Sequence, residues 1–381
     1  MIKILMIVPL STLDFGSSTT GGVDSVCQIL LKDLIENEYN DCQIRVLAFD
    51  PKSKVSSKLS IVSLSNNVDI VHFPSNETIK GVKIPGIVSN FIRIRQVLAD
   101  FDPDIVHSHL SPWLLGISGR KRVATLHNYK DIGRKPVSTL NDFVYSKLLP
   151  WLCDYYVDHY TCVGHLLEMA IKRDHNTSVS LIGNPLNSVY FNSENSYGNN
   201  LNITFVTCAL LSRKKRIEEA IKIVSRLFTA GINVELIIIG PNVDDQYYQS
   251  LHKIVHQENA TEYVFFVGAK NTDEIKSIYS KSNFGIFLSS EETFGLAPLE
   301  MLASGLPLIS TNVGVIQERS EFFTRIGTCI IDPMEEKDAL SRVLDFINEP
   351  PIVDIEALMT EFSANAVNKR YMSVYKKLLN A

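Results

Sequence analysis

Cysteine is scarce and unpaired by motif. Cys27, Cys42, Cys153, Cys162, Cys208 and Cys329 are scattered over 381 residues, mostly inside apolar segments, with no Cys-x-x-Cys among them. They read as buried thiols in a reducing compartment. Long apolar runs are missing too: no stretch approaches the roughly 18 residues of a membrane span. The opening Met1-Ile2-Lys3-Ile4-Leu5-Met6-Ile7-Val8 is short, meets Asp14 soon after and lacks a small-residue cleavage site. It reads as a first buried strand, not as a signal peptide. Charge of one sign is also absent. The net charge is −5, with 19 basic and 18 acidic side chains in residues 1–190 and 18 and 24 in residues 191–381. A nucleic-acid-binding domain would be strongly basic, so no nucleic-acid partner is expected, and the first half suits an anionic partner better than the second. Neither half carries a complete Gly-x-Gly-x-x-Gly with a downstream ribose-binding acid, which disfavours a nicotinamide dehydrogenase.

What is present is alternation. Strand-like apolar runs at Ile2 to Val8, Ile44 to Phe49, Ile105 to His107, Val123 to Thr125, His159 to Val163 and Val179 to Ile182 are separated by amphipathic helical segments. A second set follows at Ile203 to Cys208, Val234 to Ile239, Val264 to Val267, Phe284 to Leu288, Leu308 to Ser310 and Thr328 to Ile331. Such alternation predicts parallel α/β layers. The polar, aperiodic segment 191–200 reads as a linker between an N-terminal domain, 1–190, and a C-terminal domain, 201–362. From Ser363 to Leu379, Val367, Tyr371, Val374, Tyr375, Leu378 and Leu379 recur at helical spacing, which predicts a terminal helix, 363–381, that returns to the first domain.

The most informative stretch is Ser290-Glu291-Glu292-Thr293-Phe294-Gly295-Leu296-Ala297-Pro298-Leu299-Glu300, after the apolar run Phe284 to Leu288. Gly295 permits a tight strand-to-helix turn, leaving Glu292 in the loop and Glu300 about one and a half turns into the helix. Both carboxylates then border the carboxyl end of a parallel sheet, where such folds bind ligands, beside free N–H groups at the helix start. Carboxylates there accept hydroxyl hydrogen bonds while the amides take phosphate oxygens.

Three further groups fall on such rims. Gly21-Gly22-Val23 stands between the first strand with its long loop and a helix read over Asp24 to Ile35; glycines there let backbone approach an anion, although a lone Gly-Gly is also a plain turn. Asp104-Ile105-Val106-His107-Ser108-His109 and Thr125-Leu126-His127-Asn128 both place histidines past a strand end, with no carboxylate or cysteine at metal-ligand spacing. Asp102-Pro103-Asp104 reads as a turn before a strand. Arg213-Lys214-Lys215-Arg216 follows the strand Phe205 to Cys208; four cations in a row are commonly a solvated face, but this position borders the crevice and would bring Lys215 to a diphosphate.

Taken together, the Glu-x7-Glu stretch with Gly305-Leu306-Pro307, Gly314 and Glu318, and in order the Gly-Gly loop, Asp104 to His107, Thr125-Leu126-His127, Ile182-Gly183-Asn184 through Phe191 and Lys215-Arg216-Ile217, resemble the family 4 retaining glycosyltransferases of bacterial polysaccharide type. The resemblance implies a GT-B fold, α/β with two Rossmann-like domains facing across a cleft. It implies that His127 and Glu292 are catalytic, with His127 by the transferred sugar and Glu292 on donor-sugar hydroxyls. Gly22, Lys215, Arg213, Gly295, Leu296 and Glu300 would bind the donor, Glu300 through the ribose and Lys215 at the diphosphate with the amides of Gly22, Gly295 and Leu296. Asn184 would be a turn residue with a structural role. Two departures stand out. Leu210 occupies a position where such enzymes commonly have arginine, so Arg213 or Arg216 would substitute or the donor would be gripped more by backbone, and a Gly-Gly is reduced to Gly314-Val315.

The implied reaction moves a hexosyl group from a nucleotide-diphosphate sugar to a saccharide or lipid-linked saccharide, without metal or other cofactor and with retention, in surface polysaccharide, lipopolysaccharide or O-antigen assembly. Domain closure would follow donor binding. A cytoplasmic protein is expected, with peripheral contact at the inner face of the plasma membrane: Gly86 to Phe101, with Phe91, Ile94, Val97, Leu98, Arg93 and Arg95, and Tyr145 to Tyr156 would form a basic-aromatic surface on an anionic membrane, or else be core-facing helices. The rival readings are a nucleotide-sugar epimerase, a glycoside phosphorylase and a non-catalytic nucleotide-sugar-binding module.

Overall fold

The computed structural model describes residues 1–13, 21–37, 39–52, 60–75, 77–79, 82–84, 86–129, 148, 151–152, 155–192 and 202–380. The chain divides into two compact units, Met1–Pro185 with Ala364–Ala381, and Leu186–Ser363. The division falls at Pro185/Leu186, ahead of the polar segment read as the linker. Leu186 is buried and its N–H donates to Phe362 O at 2.8 Å, which ties this part of the chain to the second unit. Residues 193–200 of that segment lie outside the described residues.

In the first unit the strands are β1 (Ile2–Pro9), β2 (Cys42–Asp50), β3 (Ile61–Ser63), β4 (Val68–Pro74), a small antiparallel pair β5 (Glu77–Ile79) and β6 (Val82–Ile84), β7 (Ile105–Ser108), β8 (Lys121–Leu126), β9 (His159–Cys162) and β10 (Ser178–Leu181). Eight of them form one sheet in the order β10-β9-β8-β7-β1-β2-β4-β3, parallel except for the edge strand β3. Ile4 to Val8 are consecutively buried, as a strand covered on both faces requires. Gly22–Glu36 is helical from Gly22, two residues earlier than its sequence pattern suggested. The terminal helix Ala364–Leu379 packs on it: Asn368, fully buried, donates to Leu30 O at 3.0 Å and to Asp33 Oδ2 at 2.8 Å.

The helix Gly86–Phe101 divides the residues expected on a surface. Ile94 and Val97 are buried, whereas Phe91 and Ile92 are exposed; Arg93 lies over the Phe73 ring and Arg95 donates to Gly116 O. Most of Tyr145 to Tyr156 lies outside the described residues. Among the described residues no helix is long and apolar enough to cross a membrane. Cys27, Cys42 and Cys162 are buried, Cys208 and Cys329 half-buried, and Cys153 lies outside the described residues.

The second unit is a six-stranded, wholly parallel sheet of β11 (Ile203–Cys208), β12 (Val234–Ile239), β13 (Val264–Gly268), β14 (Phe284–Phe287), β15 (Leu308–Ser310) and β16 (Thr328–Ile330), in the order β13-β12-β11-β14-β15-β16. Its helix Ile217–Thr229 buries Ile217, Ala220, Ile221, Val224 and Leu227, one face at helical spacing, and carries Glu218 and Glu219 in its first turn, where the helix dipole favours them. Strand order reverses between β11 and β14 here, and between β1 and β7 in the first unit. At such a switch point the two loops at the carboxyl ends run in opposite directions and leave room for a ligand.

Candidate active site

In the second unit the switch point is lined by the segments that follow β11 and β14. After β11, Arg213–Lys215 forms one tight turn, and Arg216, with φ 46°, adopts the left-handed conformation before the next helix begins. After β14, residues 288–295 lead into the helix Leu296–Ala303. The two segments are stitched together: Ser290 N–H donates to Lys214 O at 2.7 Å, and Ser289 Oγ donates to the same carbonyl at 3.1 Å. Thr311 Oγ1, past β15, donates to Ser289 O at 2.6 Å.

That stitching brings Lys215 and Glu292 into an ion pair, with Lys215 Nζ also 5.1 Å from the centre of the Phe287 ring. The side chains retain 21% and 14% exposure, so each charge is largely withdrawn from water and holds the other. Lys214 pairs with Glu291 at the open surface. Arg213 is mostly exposed, with Nε 4.0 Å from Asp244 and its guanidinium over the Tyr247 ring, and Leu210 is exposed.

Gly295 caps the helix with φ 95°, a conformation that favours glycine. Leu296 begins the helix and Glu300 lies one turn farther on, beside Cys208, Tyr190 and Tyr279. Burial among these groups pushes the Glu300 carboxyl up to about 7. The same site raises the Cys208 thiol to about 12, by desolvation first and then by the Glu300 charge, so Cys208 is no nucleophile.

In the first unit Gly22 opens its helix and Asp24 sits buried in the first turn. Asp24 fixes the loop after β1, accepting from Ser11 N–H at 3.0 Å and Ser11 Oγ at 2.6 Å, and from Gln28 Nε2 at 2.9 Å. The two histidine motifs were expected to place their histidines past strand ends, and that needs one correction: His107 is inside β7, because the strand runs to Ser108. It is fully buried, with Nδ1 2.6 Å from Tyr375 Oη and Nε2 2.7 Å from Thr125 Oγ1. His109 and His127 do follow β7 and β8, and they meet, Nδ1 to Nε2, at 3.0 Å. Burial lowers all three imidazoles, His107 to about 3 and His127 to about 4, and His109 further by its histidine neighbours. They are neutral at physiological pH.

Among the expected site residues the structure therefore joins Lys215, Glu292, Gly295, Leu296 and Glu300 on one rim of the second unit, and places Gly22 and His127 on the corresponding rim of the first. Sequence reasoning missed His109 and Asn184 as neighbours of His127, and the serines that join the two loops. The available signal was strand adjacency: residues that follow neighbouring parallel strands share a rim.

Comparison with known proteins agrees with this architecture. The family model described as Glycosyltransferase Family 4 matches residues 20–188, and that described as Glycosyl transferases group 1 matches residues 191–366. The phosphatidylinositol N-acetylglucosaminyltransferase gpi3 subunit of Schizosaccharomyces pombe is 23% identical over 80% of this chain, which spans 66% of that relative's length. The O-antigen chain mannosyltransferase RfbU of Salmonella typhimurium is 24% identical over 71% of this chain and 78% of its own. Among solved structures, sucrose-phosphate synthase from Thermosynechococcus elongatus superposes with TM-score 0.73 at 14% identity, covering all of both chains. Anabaena Alr3699/HepE in complex with UDP-glucose gives 0.68 at 14% identity over 99% of this chain and all of its own. The fold is GT-B, and the chain belongs to glycosyltransferase family 4.

Proposed function

We propose that the protein transfers a hexosyl group from a nucleotide-diphosphate sugar to a hydroxyl of a saccharide or lipid-linked saccharide, with retention of configuration, in surface polysaccharide or O-antigen assembly. The observation that carries the reading is the Lys215–Glu292 pair at the β11/β14 switch point, with the Gly295–Leu296 helix start and Glu300 on the same rim. The names of the relatives, an O-antigen mannosyltransferase and an N-acetylglucosaminyltransferase subunit, support the class of reaction.

In this reading Lys215 and the amides of Gly22, Gly295 and Leu296 take the diphosphate, whose growing negative charge they stabilise as the glycosidic bond breaks. Arg213 adds positive potential. Glu292 receives donor-sugar hydroxyls, and His127 lies by the transferred sugar. A leaving-phosphate oxygen accepts the acceptor's proton, and Lys215 with the helix-start amides supplies the positive charge in a reaction proposed to run without metal or other cofactor. Contact with an anionic membrane through the exposed Phe91 and Ile92 face would bring a lipid-linked acceptor to a cytoplasmic enzyme.

A panel of nucleotide-sugars, read by thermal shift and by release of nucleoside diphosphate, tests the class and finds the donor. Glu292→Gln keeps the shape of the side chain but removes the charge, and turnover is expected to fall about 30-fold with an unchanged circular dichroism spectrum. Full activity of the folded variant would remove Glu292 from the mechanism.

Glu300 gives a pH signature. Ribose hydroxyls donate to its carboxylate, so nucleotide favours the ionised form, while burial in the free protein holds the group at about 7. Nucleoside diphosphate affinity should therefore fall about tenfold between about pH 8 and about pH 6, measured by calorimetry, and Glu300→Gln should flatten that profile. Stability moves the other way. Between the ordinary carboxylate pKa and about 7 the folded state binds more protons than the unfolded one, so the melting temperature contribution of Glu300 declines as pH rises through this window and levels off above it.

A further inference from the structure

We infer that His109 is a positioning residue that fixes the tautomer of His127, with His109 Nδ1–H donating to His127 Nε2, so that His127 carries its own proton on Nδ1 and meets a substrate as a hydrogen-bond donor with no free basic nitrogen.

The contact itself is in hand: Nδ1 of His109 and Nε2 of His127 stand 3.0 Å apart with ring planes only 23° from parallel. Two neutral imidazoles can share that bond in two ways. If His127 donated from Nε2, His109 would have to carry its proton on Nε2, and that atom is buried with no hydrogen-bond partner among the described residues. A buried N–H without an acceptor is rarer and more costly than an under-satisfied acceptor. If His109 donates from Nδ1, the buried Nε2 is a bare lone pair and the penalty is the smaller one.

Asn184 is buried beside His127, and among the described residues its Oδ1 is an acceptor with no hydrogen-bond partner. With Nε2 accepting from His109, the ring hydrogen of neutral His127 is on Nδ1. Burial keeps both rings neutral, so the pair carries a single hydrogen in this bond and no proton is exchanged at physiological pH.

The outer hydrogen-bond network pins His107 rather than His109. Tyr375 Oη and Thr125 Oγ1 occupy both nitrogens of His107, and Thr125 Oγ1 lies 2.5 Å from Thr161 Oγ1. The His109 ring packs against this fixed ring, 4.7 Å between centroids and tilted by 39°, which restrains the plane from which Nδ1 is aimed.

For the reaction, and resting on the transferase reading above, the consequence is that His127 does not deprotonate the acceptor. It donates to an oxygen of the sugar or phosphate, and the acceptor's proton leaves by another route. A His109→Ala variant leaves His127 Nε2 bare, so the ring is free to turn or to carry its proton there. His109→Asn restores an amide N–H near the position of Nδ1.

Imidazole nitrogen NMR on the full-length protein with 15N-labelled histidine decides this, with His127 assigned by the loss of its signals in His127→Gln. The wild type should show His127 protonated on Nδ1 and unprotonated on Nε2 across neutral pH; His109→Ala should lose that pattern and His109→Asn should keep it. With a donor identified, kcat of His109→Ala should fall about tenfold with KM within about twofold, and His109→Asn should recover most of the loss. A wild-type His127 protonated on Nε2 overturns the inference, as does an unchanged tautomer in a folded His109→Ala. The wild-type spectrum alone decides if that variant does not fold. An Nδ1–H tautomer in a protein that transfers no sugar would sink the transferase reading and leave the tautomer assignment standing.

Discussion

Lys215→Ala should lower kcat/KM for the nucleotide-sugar by about 10³-fold, with nucleoside diphosphate affinity down about 100-fold. The effect exceeds the loss of one cation because Lys215 is paired. Removing it leaves Glu292, only 14% exposed, as an uncompensated carboxylate beside the place proposed for the diphosphate. The site then gains a repulsion as well as losing an attraction. Neighbouring cations do not replace it: Lys214 is engaged by Glu291, and Arg213 is mostly exposed and directed at Asp244 and Tyr247. The pairing also makes a second result readable. If repulsion by Glu292 is part of the loss, Lys215→Ala with Glu292→Gln should bind nucleoside diphosphate about tenfold more tightly than Lys215→Ala alone. Calorimetric titration of the two single variants and the double variant closes that cycle. Affinity of Lys215→Ala within about threefold of wild type would remove Lys215 from the diphosphate site.

How far the sequence reaches depends on which force acts. Buried parallel strands advertise themselves as apolar runs, so all six strands of the second sheet were legible, with Ile203–Cys208 and Val234–Ile239 at their observed ends. The region 60–84 was not. Ile61–Ser63 is a three-residue exposed edge strand, and Val68–Pro74 is broken by Asp69 and His72, so neither reads as a continuous apolar run. Asp69 is there because Arg45 from β2 takes it, at 2.7 Å, an ion pair between adjacent strands that no periodicity reveals. The same limit applied to the histidines. Their position at a rim could be read from Val123 to Thr125 and the residues after it. That His107 is held by Tyr375 depends on a helix more than 200 residues away in sequence, whereas the meeting of His109 with His127 follows from the adjacency of β7 and β8. Glu292 and Glu300 were legible as a pair because a strand, a glycine and a helix follow one another locally. The partner of Glu292 was legible only through the switch-point rule, which puts the loop after β11 beside the loop after β14.

Gly314→Ala is expected to cost about 3 kcal/mol of stability and to abolish measurable nucleotide binding. Gly314 has φ +57°, and a Cβ there would lie 2.3 Å from Phe294 O and 2.9 Å from Cβ of Glu292. The first of these is a backbone oxygen and cannot swing aside. It is also the acceptor for Val315 N–H at 2.9 Å, so relief of the clash breaks that bond and pushes on the Phe294–Gly295 turn. That turn sets both Glu292 and the helix start that begins at Leu296, so a methyl group with no charge disturbs every donor contact proposed for this rim. Backbone strain alone would do less. Gly268, in the same unit, has φ +71° with nothing within 4 Å of an added Cβ, so Gly268→Ala should cost only about 1 kcal/mol and leave nucleotide binding intact. Chemical denaturation and nucleotide titration of the two variants separate the close approach from the conformation. Equal losses in both would mean that the left-handed backbone, and not the packing of Gly314 against Phe294, accounts for glycine at this position.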